Sequence, residues 1–252
     1  MGLPARTRFQ AHYRPMNDQP AYPLCCTVPD SYWPLPHPLP DVRLCSTRFD
    51  PALLDPQDFA RWEIPTPRGV GKRQAEFLAG RLCAREALRG LTGVGSVPAV
   101  GEDRAPLWPA GLVGSITHGA GWAGAITARA EHWRGLGLDI ERLLSSERAD
   151  RLAAEILTPG ELDGYAALPA AARARLVTCT FSLKESLFKA LYPLVRQRFY
   201  FHDAQLLHAT PDGRARLRLL IDLPTGWRRG SELDGQFGEF DGYLLSLVSI
   251  PA

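Results

Sequence analysis

The sequence predicts an α+β protein assembled from a duplicated unit, on three observations. The order strand, helix, strand, strand occurs twice: a strand at 41–49, a helix at 72–91 and two strands within 114–127, then a strand at 136–141, a helix at 173–192 and a closing pair at 214–223 and 242–250. Within these stretches the apolar period shifts between two and about 3.6, the spacings of a half-buried strand and an amphipathic helix. With 252 residues, 45% hydrophobic and 22% charged, the chain can bury one large core or two small ones. The repeat divides it into a proline-rich wrap at 1–40, a first subdomain at 41–135 and a second at 136–252.

Residues 1–40 hold nine of the 22 prolines, which fix φ and remove donors, so an extended wrap is expected there. Its start, 1–15, is expected to be poorly ordered, with Met16 an alternative start. Val42, Leu44 and Ser46 alternate with Arg43 and Cys45 as a strand does, and 51–59 can begin a short helix. Ala75, Leu78, Ala79 and Leu82 form a helical stripe ringed by Lys72, Arg73, Arg81, Arg85 and Arg89, with Gly93 as the stop. Glycines between Val113 and Ile126 join two short strands and put His118 at the turn. Helices at 147–157 and 161–168 interrupt the repeat; Thr158 caps the second and Pro159 fits its first turn. From Arg173 two apolar stripes, Leu176, Thr180, Leu183, Leu187 and Leu191 beside Val177, Phe181 and Phe188, cover most of a helix that Pro193 should end. That helix is expected to be largely buried.

Composition excludes several classes. No stretch has the unbroken apolar length of a membrane span, and the N-terminus lacks the apolar core of a signal peptide, so a cytoplasmic protein is expected. Five cysteines without a CxxC or a His–Cys spacing read as reduced thiols, with adjacent Cys25 and Cys26 a redox pair only as the weaker reading. A net charge of +2 is far from the balance of a dedicated nucleic-acid binder.

The chemistry is concentrated in two stretches. In the apolar helix around Phe181–Ala190, Lys184, Glu185 and Lys189 are charges that must be paired, neutralised or bound to an ion. The plain alternative is a Glu185–Lys189 pair four residues apart, which stabilises a helix by roughly 0.2–0.5 kcal/mol and needs no function. In Gly135–Arg142, period two puts Asp139 and Glu141 on one face. Adjacent carboxylates repel unless a cation lies between them, and with Glu185 they form a hard-oxygen set suited to Mg²⁺, which is usually held by a few carboxylates and substrate phosphates. Ser115, Thr117 and His118, among glycines, offer donors to a phosphate, as do the arginines of the basic helix.

Taken together, Gly137-Leu138-Asp139-Ile140-Glu141 and Phe181-Ser182-Leu183-Lys184-Glu185-Ser186-Leu187-Phe188-Lys189-Ala190 resemble the Sfp-type (enterobactin-synthase-component-D-like) 4'-phosphopantetheinyl transferases. Upstream, 73–81, Arg104-Ala105-Pro106 and Ser115-Ile116-Thr117-His118 are similar to the family's other blocks, and Ser46–Pro51 is similar to pseudomonad members above all. The resemblance implies a pseudo-twofold monomer of two α+β halves, each a small antiparallel sheet packed with helices, holding coenzyme A in the cleft between them. It implies transfer of phosphopantetheine from coenzyme A to a serine of apo acyl carrier proteins or peptidyl carrier domains, in fatty acid or siderophore synthesis, leaving adenosine 3',5'-bisphosphate. Asp139, Glu141 and Glu185 match the metal ligands, and Lys189 matches the lysine at the pyrophosphate. Thr117 and His118 match the 3'-phosphate site, with Arg73, Arg81, Arg104 and Lys184 as further coenzyme A-binding residues. Glu185 is the first choice as base for the carrier serine and Lys189 the second. Arg196 and Arg198 are candidates for docking the acidic carrier.

Two rivals use the same residues. A magnesium-dependent hydrolase of nucleotides or pyrophosphates would need no carrier. A non-catalytic coenzyme A-binding module would not need three acids.

Overall fold

A computed structural model describes residues 22–252; the expectations for 1–15 and for Met16 lie outside the described residues. Alternating apolar residues build two antiparallel sheets with the same wiring. In the first half, strand β1 (Val42–Arg48) leads through a short helix α1 (Gln57–Arg61) to the long helix α2 (Gly71–Thr92). A small ribbon follows, β2 (Ala99–Val100) with β3 (Pro106–Leu107), and then the hairpin β4 (Leu112–Gly119) and β5 (Trp122–Arg129). The sheet order is β1-β5-β4. In the second half β6 (Trp133–Arg142) precedes helices α3 (Ser146–Ile156), α4 (Pro159–Leu162) and α5 (Ala170–Val195), and strands β7 (Ala204–Ala209), β8 (Arg214–Leu219), β9 (Glu232–Phe240) and β10 (Tyr243–Pro251) complete a sheet in the order β6-β10-β9-β8-β7. In each half the first strand pairs with the last, and the last with the one before it. The fold is α+β, two sheet-and-helix units.

Period-two alternation sorts the side chains. On β6, Leu136, Leu138 and Ile140 enter a core shared with Val42, Ile126 and Leu245 of β1, β5 and β10, which leaves Gly135, Gly137, Asp139 and Glu141 on the opposite face, under α5. Helix α5 comes close because those glycines have no side chain: a Cβ at Gly137 would overlap the Ser186 carbonyl, and one at Gly135 would press on the Ala190 carbonyl at 2.5 Å. Leu183, Leu187 and Leu191 of α5 are fully buried against the second sheet, while Ala75, Leu78, Ala79 and Leu82 of α2 are buried against the first. The wrap at 22–40 lies along β1 and the residue after it, through the isolated bridges Cys26 to Phe49 and Asp30 to Ser46 and through Thr27, whose N–H donates to the Arg48 carbonyl at 2.9 Å and whose carbonyl accepts from Thr47 Oγ1 at 2.6 Å.

The two sheets meet along β4 and β6, which run in the same direction and are joined through side chains. Ser115 Oγ accepts from the Leu138 N–H at 3.0 Å and Thr117 Oγ1 from the Ile140 N–H at 3.1 Å. Backbone donors that a ladder would satisfy are satisfied by hydroxyls.

Several expectations need correction. Pro193 lies inside α5, whose last turn closes with the Arg196 N–H on the Tyr192 carbonyl at 2.9 Å; a proline so near the end costs one bond and does not stop the turn. His118 lies within β4, and the hairpin turns at Ala120 and Gly121, both with positive φ. The helix expected at 161–168 is a single turn, α4, broken at Gly164 with φ +76°, although the Thr158–Glu161 capping box is present. The closing pair is four strands: β9 was hidden by Asp234, Gly235 and Gly238, which dilute its alternation.

Candidate active site

The two chemical stretches meet. Lys189 of α5 donates to Asp139 Oδ1 of β6 at 2.6 Å and to the Leu138 carbonyl at 3.1 Å. The plain Glu185–Lys189 helix pair is therefore replaced by a contact between helix and strand. Asp139, only 5% exposed, has its other oxygen, Oδ2, held by Ser182 Oγ at 2.9 Å. Glu141 and Glu185 sit on the same side. Burial first, then Asp139 and Glu185, push the Glu141 carboxyl up to about 7, against the pull of Lys189. Glu185 is raised as well, again by burial first, with Lys189 opposing and Asp139 adding to it. Burial raises both glutamates first, and the Asp139 carboxylate beside them adds to it in each case.

That donor set has the chemistry Mg²⁺ prefers, all carboxylate oxygen and no histidine. Among the described residues no three acidic, histidine or cysteine side chains converge as a ready metal cluster, and the Asp139 carboxylate is engaged by Lys189 and Ser182.

Beside this cluster lies a cleft of about 270 Å³ lined from both halves: the Asp103–Pro106 loop, Trp108 and Gly114–Ile116 from the first, Phe188, Lys189, Tyr192 and Arg198 from the second. A second cavity of about 220 Å³ runs along Glu185, Phe188 and Phe199–Phe201. Phe188 and Arg198 line both. Arg104, with φ +70°, is exposed at the cleft mouth.

The remaining residues expected at the site divide. His118 is near Glu76, with Nδ1 and Oε2 3.8 Å apart. The surrounding protein, with Lys189, holds its pKa below the usual histidine range, while Glu76 and Asp139 pull the other way. Arg81 is 4% exposed and stacks over Phe77 at 4.9 Å, with Nη1 lacking a hydrogen-bond partner. Burial alone lowers its pKa to about 10. A buried guanidinium without an acid partner calls for an anion. Arg73 is exposed in the first turn of α2.

Lys184 does not join this group: its ammonium is buried against Glu161 Oε2 at 2.7 Å and the Ile156 carbonyl at 2.9 Å, and burial lowers its pKa. It clamps α4 to α5. Thr117 is turned to the seam, its hydroxyl accepting from Ile140. Arg196 and Arg198 of the docking pair are both exposed, and Arg196 is tied to Asp103 at 3.0 Å. Missed by sequence reasoning were Ser182 and Ser246, fully buried hydroxyls on otherwise largely apolar elements. Their signal was there, since a buried polar group must find a partner.

A family signature described as the 4'-phosphopantetheinyl transferase N-terminal domain matches residues 66–128, and one for the 4'-phosphopantetheinyl transferase superfamily matches 135–248. Over 206 residues, 80% of this chain and 80% of the relative, the chain is 37% identical to 4'-phosphopantetheinyl transferase Svp of Streptomyces mobaraensis. The chain belongs to the 4'-phosphopantetheinyl transferase family. Other members similar to it are enterobactin synthase component D of Escherichia coli O157:H7, 44% identical over 56% of this chain and 67% of the relative, and 4'-phosphopantetheinyl transferase PptT of Mycobacterium tuberculosis, 36% identical over 67% and 71%. The boundary between the two family signatures, 128 to 135, falls where the chain leaves β5 and enters β6.

Proposed function

We propose that this chain moves phosphopantetheine from coenzyme A to a serine of apo acyl carrier proteins and peptidyl carrier domains, releasing adenosine 3',5'-bisphosphate. The observation that carries the reading is the meeting of Asp139 and Lys189 at 2.6 Å beside a cleft lined from both halves, within a chain of this family. Asp139, Glu141 and Glu185 would hold Mg²⁺, which when bound offsets the negative charge of the pyrophosphate. The Lys189 ammonium, already at the cleft wall, stabilises the charge that grows on the leaving oxygen. Glu185 takes the proton of the carrier serine; its raised pKa makes it a better base than an exposed glutamate. Arg81, His118 and the exposed Arg73 and Arg104 suit the 3'-phosphate and the outer phosphates, because Arg81 is a buried cation without a protein anion.

Arg198 is the basic residue left for docking an acidic carrier, since Arg196 is engaged. A cytoplasmic monomer belongs to the same proposal: among the described residues no helix is long and apolar enough to cross a membrane, and each half is paired with the other along the seam. So do the division at 41–135 and 136–252 and the likeness to pseudomonad members.

The test is chromatography of nucleotide products after incubation with coenzyme A and Mg²⁺, with and without apo carrier protein. Adenosine 3',5'-bisphosphate formed only with carrier supports transfer. Release without carrier would favour the hydrolase, and no release in either arm would favour the binding module.

A further inference from the structure

Three serines lie fully buried between β6, β10 and α5. Ser182, Ser186 and Ser246 are each 0% exposed, and the chain they form ends on Asp139. Ser182 Oγ lies 2.9 Å from Asp139 Oδ2 and 2.8 Å from Ser246 Oγ; Ser186 Oγ lies 2.8 Å from Ser246 Oγ and 3.1 Å from the Ser246 carbonyl. Ser246 and Asp139 are cross-strand partners on β10 and β6, so the network crosses three elements.

Each hydroxyl has one proton, and an ionised carboxylate only accepts. The Ser182 proton therefore goes to Asp139 and the Ser182–Ser246 contact must be donated by Ser246, while Ser186, which donates to the Ser246 carbonyl, shares its one proton with Ser246 Oγ. The order of donation runs one way, Ser186 to Ser246 to Ser182 to Asp139. Helical serines commonly turn back to the carbonyl four residues earlier, as Thr178 does to Ala174 at 2.7 Å. Ser182 and Ser186 instead point at the sheet.

We propose that Ser182 and Ser246 are positioning residues: a buried hydroxyl relay that fixes the rotation of the Asp139 carboxylate, one oxygen held by Ser182 and the other by Lys189. This rests on the reading of Asp139 as a ligand of a divalent cation. A ligand whose outer hydrogen bond is removed keeps its chemistry and loses its orientation, which commonly costs about 10–100-fold in metal affinity or activity. Alanine at these positions removes only an oxygen, so packing is kept. Ser246 reaches the carboxylate only through Ser182.

Mn²⁺ is the probe, titrated into the purified chain without substrates and followed by the electron paramagnetic resonance of the free ion. Ser182→Ala is expected to weaken Mn²⁺ binding about 10–100-fold, and Ser246→Ala to weaken it less. The double variant should bind like Ser182→Ala alone, since removing Ser182 disconnects Ser246. Melting temperatures distinguish lost orientation from lost fold. Parent-like affinity in the serine variants, with affinity lost in Asp139→Ala, would overturn the relay alone, as would additive losses in the double variant. Parent-like affinity in Asp139→Ala would overturn the metal reading and the relay's purpose with it. Should Ser182→Ala fail to fold, Ser246→Ala decides: unchanged affinity overturns the proposal.

Discussion

The two halves share a wiring diagram and divide the chemistry. In the first, α2 lies on β1-β5-β4 and carries Arg73, Arg81, Arg85 and Arg89; in the second, α5 lies on β6-β10-β9 and faces Asp139 and Glu141 with Glu185 and Lys189 of its own. The close approach is also made differently. The first half uses glycine and alanine on its helix and strand, with Gly80 against Ile116; the second uses Gly135 and Gly137 on the strand. Two units can thus keep one topology while the helix of one carries arginines and the helix and strand of the other gather acids. The seam hydroxyls of Ser115 and Thr117 hold the two in register.

The largest expected effect lies in the acidic half. Glu185→Gln should lower turnover about 100-fold or more at saturating Mg²⁺, the usual contribution of a general base, measured as the initial rate of carrier modification; near-normal turnover would remove Glu185 from that role. Next comes the packing contrast. Gly137→Ala places a methyl in the Ser186 carbonyl and should cost about 3 kcal/mol or more in denaturant unfolding, beyond ordinary overpacking. Gly80→Ala meets the Ile116 side chain, which can give way, and should cost about 1 kcal/mol, its methyl partly offset by higher helix propensity. Equal losses would mean that the two helices are seated alike.

In the cationic half, Arg81→Met should weaken coenzyme A binding about tenfold or more by calorimetry, as loss of a charge-assisted contact does, without lowering the melting temperature, because it removes an unpaired buried charge. A fall in stability with unchanged affinity would make Arg81 structural. The smallest effect is one of pH. Burial, then Asp139, push the Glu141 carboxyl up to about 7, above the ordinary glutamate range, so the folded state binds more protons and stability falls as pH rises through that window. Without divalent cations, Glu141→Gln should melt higher than the parent at pH 8, with the gain vanishing towards pH 5. A gain equal at both pH values would exclude repulsion as its cause.

Much of this was legible in the chain. Strict alternation at 136–141 placed Asp139 and Glu141 on one face, and the apolar stripes of 173–192 announced a buried helix whose charges needed partners. What the sequence did not carry were partners chosen by three-dimensional neighbours. Nothing near Lys184 in sequence distinguishes it from Lys189, yet one faces Glu161 and the other Asp139. Thr117 reads as an open donor until β6 lies beside it. Strands β7 and β9 were obscured because polar and glycine residues on an edge or half-exposed face blur period two.

The most direct measurement is the intact mass of an apo acyl carrier protein and an apo peptidyl carrier domain, each incubated with this chain, coenzyme A and Mg²⁺, beside Asp139→Ala. The account predicts a gain of one phosphopantetheine with the parent and at least a 100-fold slower gain, or none, with Asp139→Ala, as for loss of a transition-state stabilising group. Equal mass gain with both would contradict it.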